Sequence, residues 1–460
     1  MVQVIKQFNQ AANVSKSLIR KALDSSTGIG GALIPQHLEE VITNTIVRLS
    51  PELAMVSTKF DQQKLHEFNR LSSLPEAGGA MGEGATTPTR RAAYSRDNVT
   101  LKVIRRKGSV TNFLQDASGK FIDAAAAEME NHLLAHAFDL STYMLYGNAE
   151  ANPYEFSGLD QFITTNRINE AVGGKVPTNL NFLDNMIDAN QERQGSHHRN
   201  AFVMSPQMLS KVSQLLTNVR LTQGLSGGGL STVEVPGGWR MNAYRDIPII
   251  VSSACRPKAT MSAVTPTAAG TGTGTLSDGT YHFMVAPITY NGEELACVDA
   301  PITLSGGGTA QKILLSFTAY AGAIGYKIYY GTSATNHTLI RQVAAFTYDA
   351  SGTITGYNNA ISMLSVAADT TVPTARQADK PLVATGGIAP ETIFFWDLDE
   401  YQGLGKLAYT NTGGSRFNGL VSVEPLAKVD DEMPFLVKTY AALVPSFEAT
   451  SVMYRGLRVS

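Results

Sequence analysis

The pattern of apolar and polar positions predicts one long helix between Ser118 and Gly147, in the stretch SGKFIDAAAAEMENHLLAHAFDLSTYMLYG. Apolar residues recur there in steps of three and four, which is the period of a helix and not the alternation of a strand. Ser118 is placed to cap the start, and Gly147 is placed to end the helix in a left-handed turn. From Phe121 to Tyr146 the rod would be about 39 Å long at ~1.5 Å per residue. We therefore expect a spine on which other elements are organised.

Two alternating stretches before the spine predict a two-stranded arm. KFDQQKLHEFNRLSSLP and YSRDNVTLKVIRRKGSVTN alternate as strands do, for example at Val99, Leu101 and Val103. The tip between them, PEAGGAMGEGATTPTRRA, is rich in Gly and Pro and has Met81 as its one large apolar residue. Such a tip builds no core of its own, and an exposed hairpin aggregates unless a partner covers it. The arm is the first indication of assembly with other copies.

The return strand of this arm is basic, and the spine is mostly acidic. These charges predict contacts with neighbouring subunits for nine residues: Arg90, Arg91, Arg96, Lys102, Arg105, Arg106, Lys107, Glu128 and Glu130. The alternative explanation of the basic run is a solvated face that makes no such contact.

A compact α+β unit follows the spine, and a different composition interrupts it. The segment Leu180–Gln194 and PQMLSKVSQLLTNVR have the helical period, whereas AFVMS and DIPIIVS predict buried strands. From Arg256-Pro257 to about Gly387 the chain is rich in Thr, Gly, Ser, Ala and Tyr, and short alternating strands predict an all-β sandwich. The α+β pattern returns at ETIFFWDLDEYQG. The sandwich is therefore predicted to be an insertion, and we expect it to be peripheral.

The totals exclude several classes of protein. The net charge of -2 over 460 residues predicts no bulk attraction to nucleic acid or to anionic membranes. Cys255 and Cys297 have neither metal-ligand spacing nor the pattern of a disulfide framework. No apolar run reaches the ~18 residues of a membrane span, and the first residues lack a secretory signal. We expect synthesis in the cytoplasm and no membrane partner.

No motif nominates catalytic, cofactor-binding or metal-ligating residues. The pair His197-His198 lacks further ligands, and His132 and His136 have zincin spacing without HExxH, so we expect the latter two to pack on the helix. The acidic runs at 397–400 and 429–432 are expected to be strand ends and turns. The glycine-rich TGIGGA at 27–32 lacks the spacing of a phosphate loop. We predict no cofactor.

The order of these parts resembles the major capsid proteins of tailed bacteriophages with the Hong-Kong-97-like fold, which is an α+β fold. GIGGALIPQHLEEVITNTIVRLSPELAM is similar to the start of that family's folded region. DIPIIVSS and IFFWDLDEYQG look like the paired late segments of its axial domain. In the insertion, GTYHFMVAPITYNGEE and IGYKIYYGTSATNHTLIRQV resemble a fibronectin type III or immunoglobulin-like module.

The resemblance implies a division of the chain into seven parts. These are an N-terminal arm (1–27), the start of the peripheral domain (28–57), an extended β-hairpin loop (58–112), the spine helix (113–150), the first part of the axial domain (151–256), the inserted immunoglobulin/fibronectin-like β-sandwich (257–388) and the closing strands of both domains (389–460).

The resemblance also implies a structural subunit, not an enzyme, that forms hexamers and pentamers in the icosahedral shell of a tailed double-stranded DNA virus. The insertion would be displayed on the outer surface, either binding cell-surface glycans or only decorating it. Implied partners are other copies of the chain, a separate scaffolding protein, a portal, a decoration protein and, through weak non-specific contact, the packaged DNA. The chain would be assembled in the host cytoplasm and reside in the virion. Two alternatives stay open: an encapsulin-like shell of a cellular nanocompartment, and an enzyme with a β-sandwich binding module.

Overall fold

The structure is a computed structural model. It describes residues 51–61, 63–75, 86, 89–118, 123–193, 199–223, 231–235, 239–306, 308, 310–348, 354–370, 372–410, 420–428 and 431–460. The predicted N-terminal arm, the chain up to residue 50, most of the arm tip, His197-His198 and the first two residues of the second acidic run lie outside these residues.

The described chain contains helices in its first half and mostly strands in its second half. The helices are α1 (Pro51–Met55), α2 (Asn112–Ser118), α3 (Ala124–Tyr146), α4 (Leu159–Phe162), α5 (Asn181–Glu192) and α6 (Pro206–Gln223). The strands up to residue 256 are β1 (Ser57–Phe60), β2 (Leu65–Ser73), β3 (Ala93–Thr100), β4 (Lys102–Thr111), β5 (Arg167–Asn169), β6 (Asn200–Met204), β7 (Ser231–Val235), β8 (Trp239–Tyr244) and β9 (Ile247–Val251).

The later strands fall into two groups. The first group is β10 (Thr265–Leu276), β11 (Gly279–Thr289), β12 (Gly292–Glu293), β13 (Ala300–Leu304), β14 (Gln311–Ser316), β15 (Ala323–Gly331), β16 (His337–Ala344), β17 (Phe346–Tyr348), β18 (Ile354–Tyr357) and β19 (Ala360–Met363). The second group is β20 (Glu391–Asp397), β21 (Lys406–Thr410), β22 (Ser422–Pro425), β23 (Glu432–Val444) and β24 (Val452–Leu457). We call residues 257–388 the inserted region and the rest of the described chain the body.

A seven-stranded sheet in the order β5-β24-β20-β6-β9-β8-β7 forms one half of the body. Strand β6 is parallel to β9, with Phe202 opposite Ile249, and antiparallel to β20, with Phe202 opposite Phe395. Helices α5 and α6 bury residues such as Leu183 and Met208 in the core that this sheet shares. DIPIIVSS and IFFWDLDEYQG therefore lie in one sheet, but they flank β6 instead of pairing with each other. The chain leaves the sheet after β9 and rejoins it at β20.

A five-stranded sheet lies against the spine helix α3. Its order is β1-β21-β23-β22, and β4 pairs with the first part of β23. The ring of Phe435 meets His132 edge to face, with 5.2 Å between centroids. The buried His136 lies with its Nε2 2.8 Å from the hydroxyl of Thr439. These contacts confirm the packing role predicted for the two histidines.

Both ends of α3 differ from the prediction. Asp123, not Ser118, caps the helix, because its carboxylate accepts the N–H of Ala126 at 3.1 Å. Ser118 is instead the last residue of α2. Gly147 ends the helix with a φ of -50°, not in the left-handed conformation that we predicted. Glycine is required there for space, since an added Cβ would lie 2.3 Å from the carbonyl oxygen of Phe156.

The predicted two-stranded arm consists of β2 and β3, with Leu65 opposite Thr100 and Leu71 opposite Tyr94. The return strand is divided at Leu101, whose side chain is buried in the main core of the body. Beyond Leu101 the chain continues as β4, which leaves the arm and joins β23. The basic residues of β4 therefore belong to the five-stranded sheet and not to the arm.

The inserted region contains two sheets that share one hydrophobic core. Strands β10, β14 and β19 form a three-stranded sheet, and β12, β11, β15 and β16 form a second sheet in which β13 also pairs with β11. Ile313 and Ile361 from the first sheet join Phe283 and Ile328 from the second in the same buried cluster. Strands β17 and β18 form a separate hairpin.

We predict that His136 makes the stability of the protein depend on pH. Burial lowers the pKa of this imidazole to about 4, and the charge of Arg106 acts in the same direction. In the unfolded chain the same histidine has a pKa of ~6.5, so between about pH 6.5 and about pH 4 the unfolded state binds more protons than the folded state. The folded state therefore loses stability as the pH falls from about 6.5 to about 4. The variant His136→Gln keeps a polar partner for Thr439 and removes the titration.

Urea unfolding of the protein at about pH 7 and about pH 5 measures this effect. The loss of unfolding free energy on acidification should be smaller in His136→Gln than in the unchanged chain. His132→Gln, at the partly exposed histidine one turn away, is the matched control and should keep the full loss. Equal losses in all three proteins would contradict the prediction.

Candidate assembly surfaces and a buried charge cluster

The outer end of the arm exposes large apolar side chains. Leu71, Leu74 and Tyr94 are 47%, 73% and 75% exposed, and we call them the arm patch. The base of the arm differs, because Phe68 and Val99 pack against the main core of the body. The arm thus packs against the body at its base and exposes apolar side chains to solvent at its outer end.

The predicted contact residues on the arm are exposed. Arg90 and Arg91 lie just before β3, and Arg96 lies within it. Arg96 is 3.6 Å from the carboxylate of Glu67 on the opposite strand, and both side chains are more than half exposed. Exposed pairs of this kind contribute at most about 1 kcal/mol, so a neighbouring surface can compete for the guanidinium.

The predicted contact residues on β4 point alternately towards the body and towards solvent. Lys102 donates to a backbone carbonyl at 2.7 Å. Arg106 forms two hydrogen bonds of 2.6 and 2.8 Å with Asp139 of α3, and this pairing raises the pKa of Arg106. Arg105 and Lys107 occupy the opposite side of the strand and are exposed.

The two predicted acidic residues lie in the first half of α3. Glu128 pairs with His132 one turn further on, at 3.2 Å, and Glu130 is exposed. The structure therefore distributes the nine residues over the arm, β4 and the spine, and it does not gather them into one cluster. Their assignment as contacts between subunits stays a prediction.

A cluster of buried charges lies between the body and the inserted region. Its members are Asp160, Arg167 and Arg455 of the body, and Glu293, Lys327 and Asp379 of the inserted region. Arg167 holds Asp379 through two hydrogen bonds of 2.5 and 2.6 Å and reaches Asp160 at 3.0 Å. Arg455 lies 2.8 Å from Glu293 and 3.2 Å from Asp379. Lys327 lies 2.8 Å from Glu293. We call these six residues the charge cluster.

The charge cluster balances three carboxylates against three cations, and every side chain in it is at most 8% exposed. Burial alone would favour the neutral carboxyl groups. Arg167 and Arg455 outweigh that effect and lower the pKa of Asp379 to about 2. Together with Lys327 they also hold the pKa of Asp160 well below its usual range. The carboxylates are therefore ionised at neutral pH.

Contacts around the charge cluster attach the inserted region to the body over a broad surface. The buried Arg376 bonds to Glu150 at 2.5 Å and to the side-chain oxygen of Gln161. Gln342 donates to the side chain of Asn148 at 3.0 Å. The inserted region supplies half of the charges in the charge cluster, so more than its two chain ends attaches it to the body. Its expected peripheral role in the shell stays a prediction.

The other candidate residues have structural roles. The first acidic run forms a turn, in which the Asp399 carboxylate accepts the N–H groups of Tyr401 and Gln402, both at 2.8 Å. Among the residues that the structure describes, no group of three or more His, Cys, Asp or Glu is placed to hold a metal ion. No helix in the described part of the chain is both long enough and apolar enough for a membrane span.

Reasoning from the sequence missed the charge cluster because its members are far apart along the chain. The usable signal was a lone charge within a buried strand, as with Lys327 in IGYKIYYG and Arg455 in VMYRGL. Charged residues are almost never fully buried unless they are paired. Each lone charge therefore predicts a partner, although it does not say which residue the partner is.

A protein-family model described as SU10 major capsid protein matches residues 10–244, slightly more than half of the chain. The chain belongs to the SU10 major capsid protein family. No curated protein sequence matches this capsid protein.

Solved capsid structures are similar to this capsid protein at low identity. The holo-SrpI encapsulin complex from Synechococcus elongatus PCC 7942 matches with a TM-score of 0.46 and 10% identity, covering 93% of this chain and 94% of that chain. The capsid of a native GTA particle matches with a TM-score of 0.46 and 10% identity, covering 95% of this chain and 98% of that chain. The capsid of Cyanophage A-1(L) matches with a TM-score of 0.44 and 12% identity, covering 93% of this chain and 98% of that chain.

The family match confirms the expected role. The protein is a phage major capsid protein, a structural subunit of the capsid shell that is located in the virion and forms part of a capsid lattice. The mixture of helices and strands fits a phage capsid fold.

We predict that removal of one cation from the charge cluster strongly destabilises the capsid subunit. Arg455→Ala leaves Glu293 and Asp379 buried with less compensating charge, and breaking a buried pair in this way costs about 3–5 kcal/mol. The matched control is Arg341→Ala, which removes a pair with Asp369 at 3.5 Å in which both side chains are about one third exposed. That change should cost less than about 1 kcal/mol. Urea unfolding of both variants measures the difference, and equal losses would contradict it.

Proposed function

We propose that the subunit forms hexamers and pentamers of an icosahedral shell around double-stranded DNA, with the arm of each subunit lying over its neighbour. The observation that carries this proposal is the arm patch. Monomeric proteins seldom expose adjoining large apolar side chains, and such patches are typical of interaction sites. A neighbouring subunit would remove Leu71, Leu74 and Tyr94 from water.

Charge supports the same arrangement. Arg90 and Arg91 lie just before β3 and Arg96 lies within it, and all three are exposed, as is Glu130 on α3. Opposite charges across an interface favour the correct orientation of two subunits and raise the rate of association. We propose that the arginines of one arm face acidic residues on the spine of the next subunit.

The arm patch is tested by removing its apolar side chains without touching the body. The double variant Leu71→Ser with Tyr94→Ser should fold like the unchanged chain, because both positions are exposed. Burying each such side chain contributes about 1.5–3 kcal/mol, so the concentration needed for assembly should rise at least about tenfold. Light scattering and electron microscopy measure assembly. The control is Val298→Ser, at a residue of the inserted region that is 74% exposed. Normal shells from the double variant would contradict the role of the arm.

We further propose that the inserted region is an immunoglobulin or fibronectin type III-like β-sandwich. It would occupy residues 257–388, between the first part of the axial domain (151–256) and the closing strands of the axial and peripheral domains (389–460). Its two sheets around one core support this assignment. We also propose that its free side is displayed on the outer surface of the shell. Binding of a cell-surface glycan and simple decoration are both compatible with that position.

The charge cluster predicts what deletion of the inserted region does. A chain lacking 258–388 keeps Asp160, Arg167 and Arg455 but loses Glu293, Lys327 and Asp379, which leaves one carboxylate with two cations. It also uncovers apolar surface of the body, such as Tyr154, which packs against Tyr348. This chain should therefore not give soluble, assembly-competent subunits. Solubility and circular dichroism measure the outcome. Normal assembly after the deletion would contradict the prediction.

The remaining partners are also proposals. A separate scaffolding protein, a portal and a decoration protein would meet the shell, as the resemblance to tailed-phage capsids implies. Contact with the packaged DNA would be weak and independent of sequence, which is consistent with a net charge of -2.

A further inference from the structure

The outward face of β4 carries an ordered series of exposed side chains. Alternate residues point away from the spine, and these are Val103, Arg105, Lys107, Ser109 and Thr111. Residues directly opposite on antiparallel strands share a face. Glu432, which lies opposite Thr111 on β23, therefore belongs to the same face and is exposed. We call these six residues the β4 strip.

Charge is separated along the β4 strip. Arg105 and Lys107 are at one end, and Glu432 is at the other. Lys438, which lies opposite Arg105 on β23, is neutralised by Glu424 at 2.6 Å. Lys107 lies opposite Leu436, four residues along β23 from Glu432, which corresponds to about 13 Å. That distance excludes an ion pair within one chain. Among the described residues, neither Arg105 nor Lys107 has a carboxylate within salt-bridge distance.

Exposed apolar side chains lie at both ends of the strip. Val103 is 50% exposed at the cationic end, and Phe113, the second residue of α2, is 78% exposed beyond the anionic end. Ser109 is midway between Arg105 and Phe113, and its partner across the ladder is Pro434. The middle of the strip thus has small side chains that allow another backbone to approach closely.

We propose that the β4 strip binds the β4 strip of a second copy of the chain about a two-fold axis at Ser109. This proposal rests on the proposed function as a shell subunit. A two-fold interface must be self-complementary: if residue i of one subunit contacts residue j of the other, residue j of the first subunit also contacts residue i of the other. The strip meets that requirement: Lys107 faces Glu432 of the partner subunit, and Phe113 covers Arg105 of the partner subunit.

The charges favour a second copy over a nucleic acid. A phosphate backbone would be attracted to Arg105 and Lys107 but repelled by Glu432 and by the exposed Asp116 and Asp431 next to it. A reversed copy of the same strip places each charge against its opposite. It also buries the apolar residues at both ends in a single contact.

A single cysteine tests the position of the axis. Ser109→Cys places one thiol next to its symmetry mate, and a disulfide forms only when the two Cα atoms are within about 7 Å. The native Cys255 and Cys297 are buried and do not compete. Under mild oxidation of assembled full-length protein, we expect most chains to migrate as covalent dimers on non-reducing gels. Ser277→Cys, at an exposed serine of the inserted region, is the matched control and should stay monomeric.

Charge reversal provides an independent measurement. Lys107→Glu and Glu432→Lys should each lower the yield of shells at least about tenfold, because each places like charges together, and the chain carrying both should recover the yield. Shells of Ser109→Cys without covalent dimers would overturn the two-fold contact and leave the proposed function intact. Failure of the double reversal to recover shells would also overturn it. If the unchanged chain formed no shells, the proposed function itself would fail.

Discussion

The subunit depends on the electrical balance of the charge cluster. A buried ion loses its hydration, and only opposite charges at hydrogen-bond distance compensate for that loss. Here neither the body nor the inserted region has a neutral set of its own: the body contributes one carboxylate and two cations, and the inserted region contributes the reverse. The two parts therefore neutralise each other's buried charges, although each has a hydrophobic core of its own.

This arrangement divides the charges of the chain into two populations. The buried charges compensate one another within a few ångströms and contribute little to the field outside the molecule. The exposed charges on the arm, on β4 and on the first half of the spine, such as Arg96, Lys107 and Glu130, face the solvent, so they determine how the surface interacts with its surroundings. A net charge close to zero thus coexists with strongly charged local surfaces.

The sequence was most informative where a local pattern coincided with a buried face. The helical period located α3, α5 and α6 because their apolar stripes lie against sheets. The prediction misplaced the start of α3, because the residue that caps this helix is held by α2. The side chain of Gln115 in α2 bonds both to the carboxylate of Asp123 and to the N–H of Ala125. Alternation continued through Leu101 without a break, because a strand that changes partners keeps its period of two. The charge cluster could not be predicted from the sequence, because only the tertiary structure determines which distant charged residues meet.

The position of β6 between β9 and β20 has a consequence for the synthesis of the protein. The ribosome delivers the inserted region before β20, so its two sheets can form while the seven-stranded sheet is still incomplete. The surface of β4 is completed even later, because its ladder partner β23 (Glu432–Val444) follows β20 along the chain. A nascent chain that has not yet reached Val444 consequently lacks the finished β4 surface.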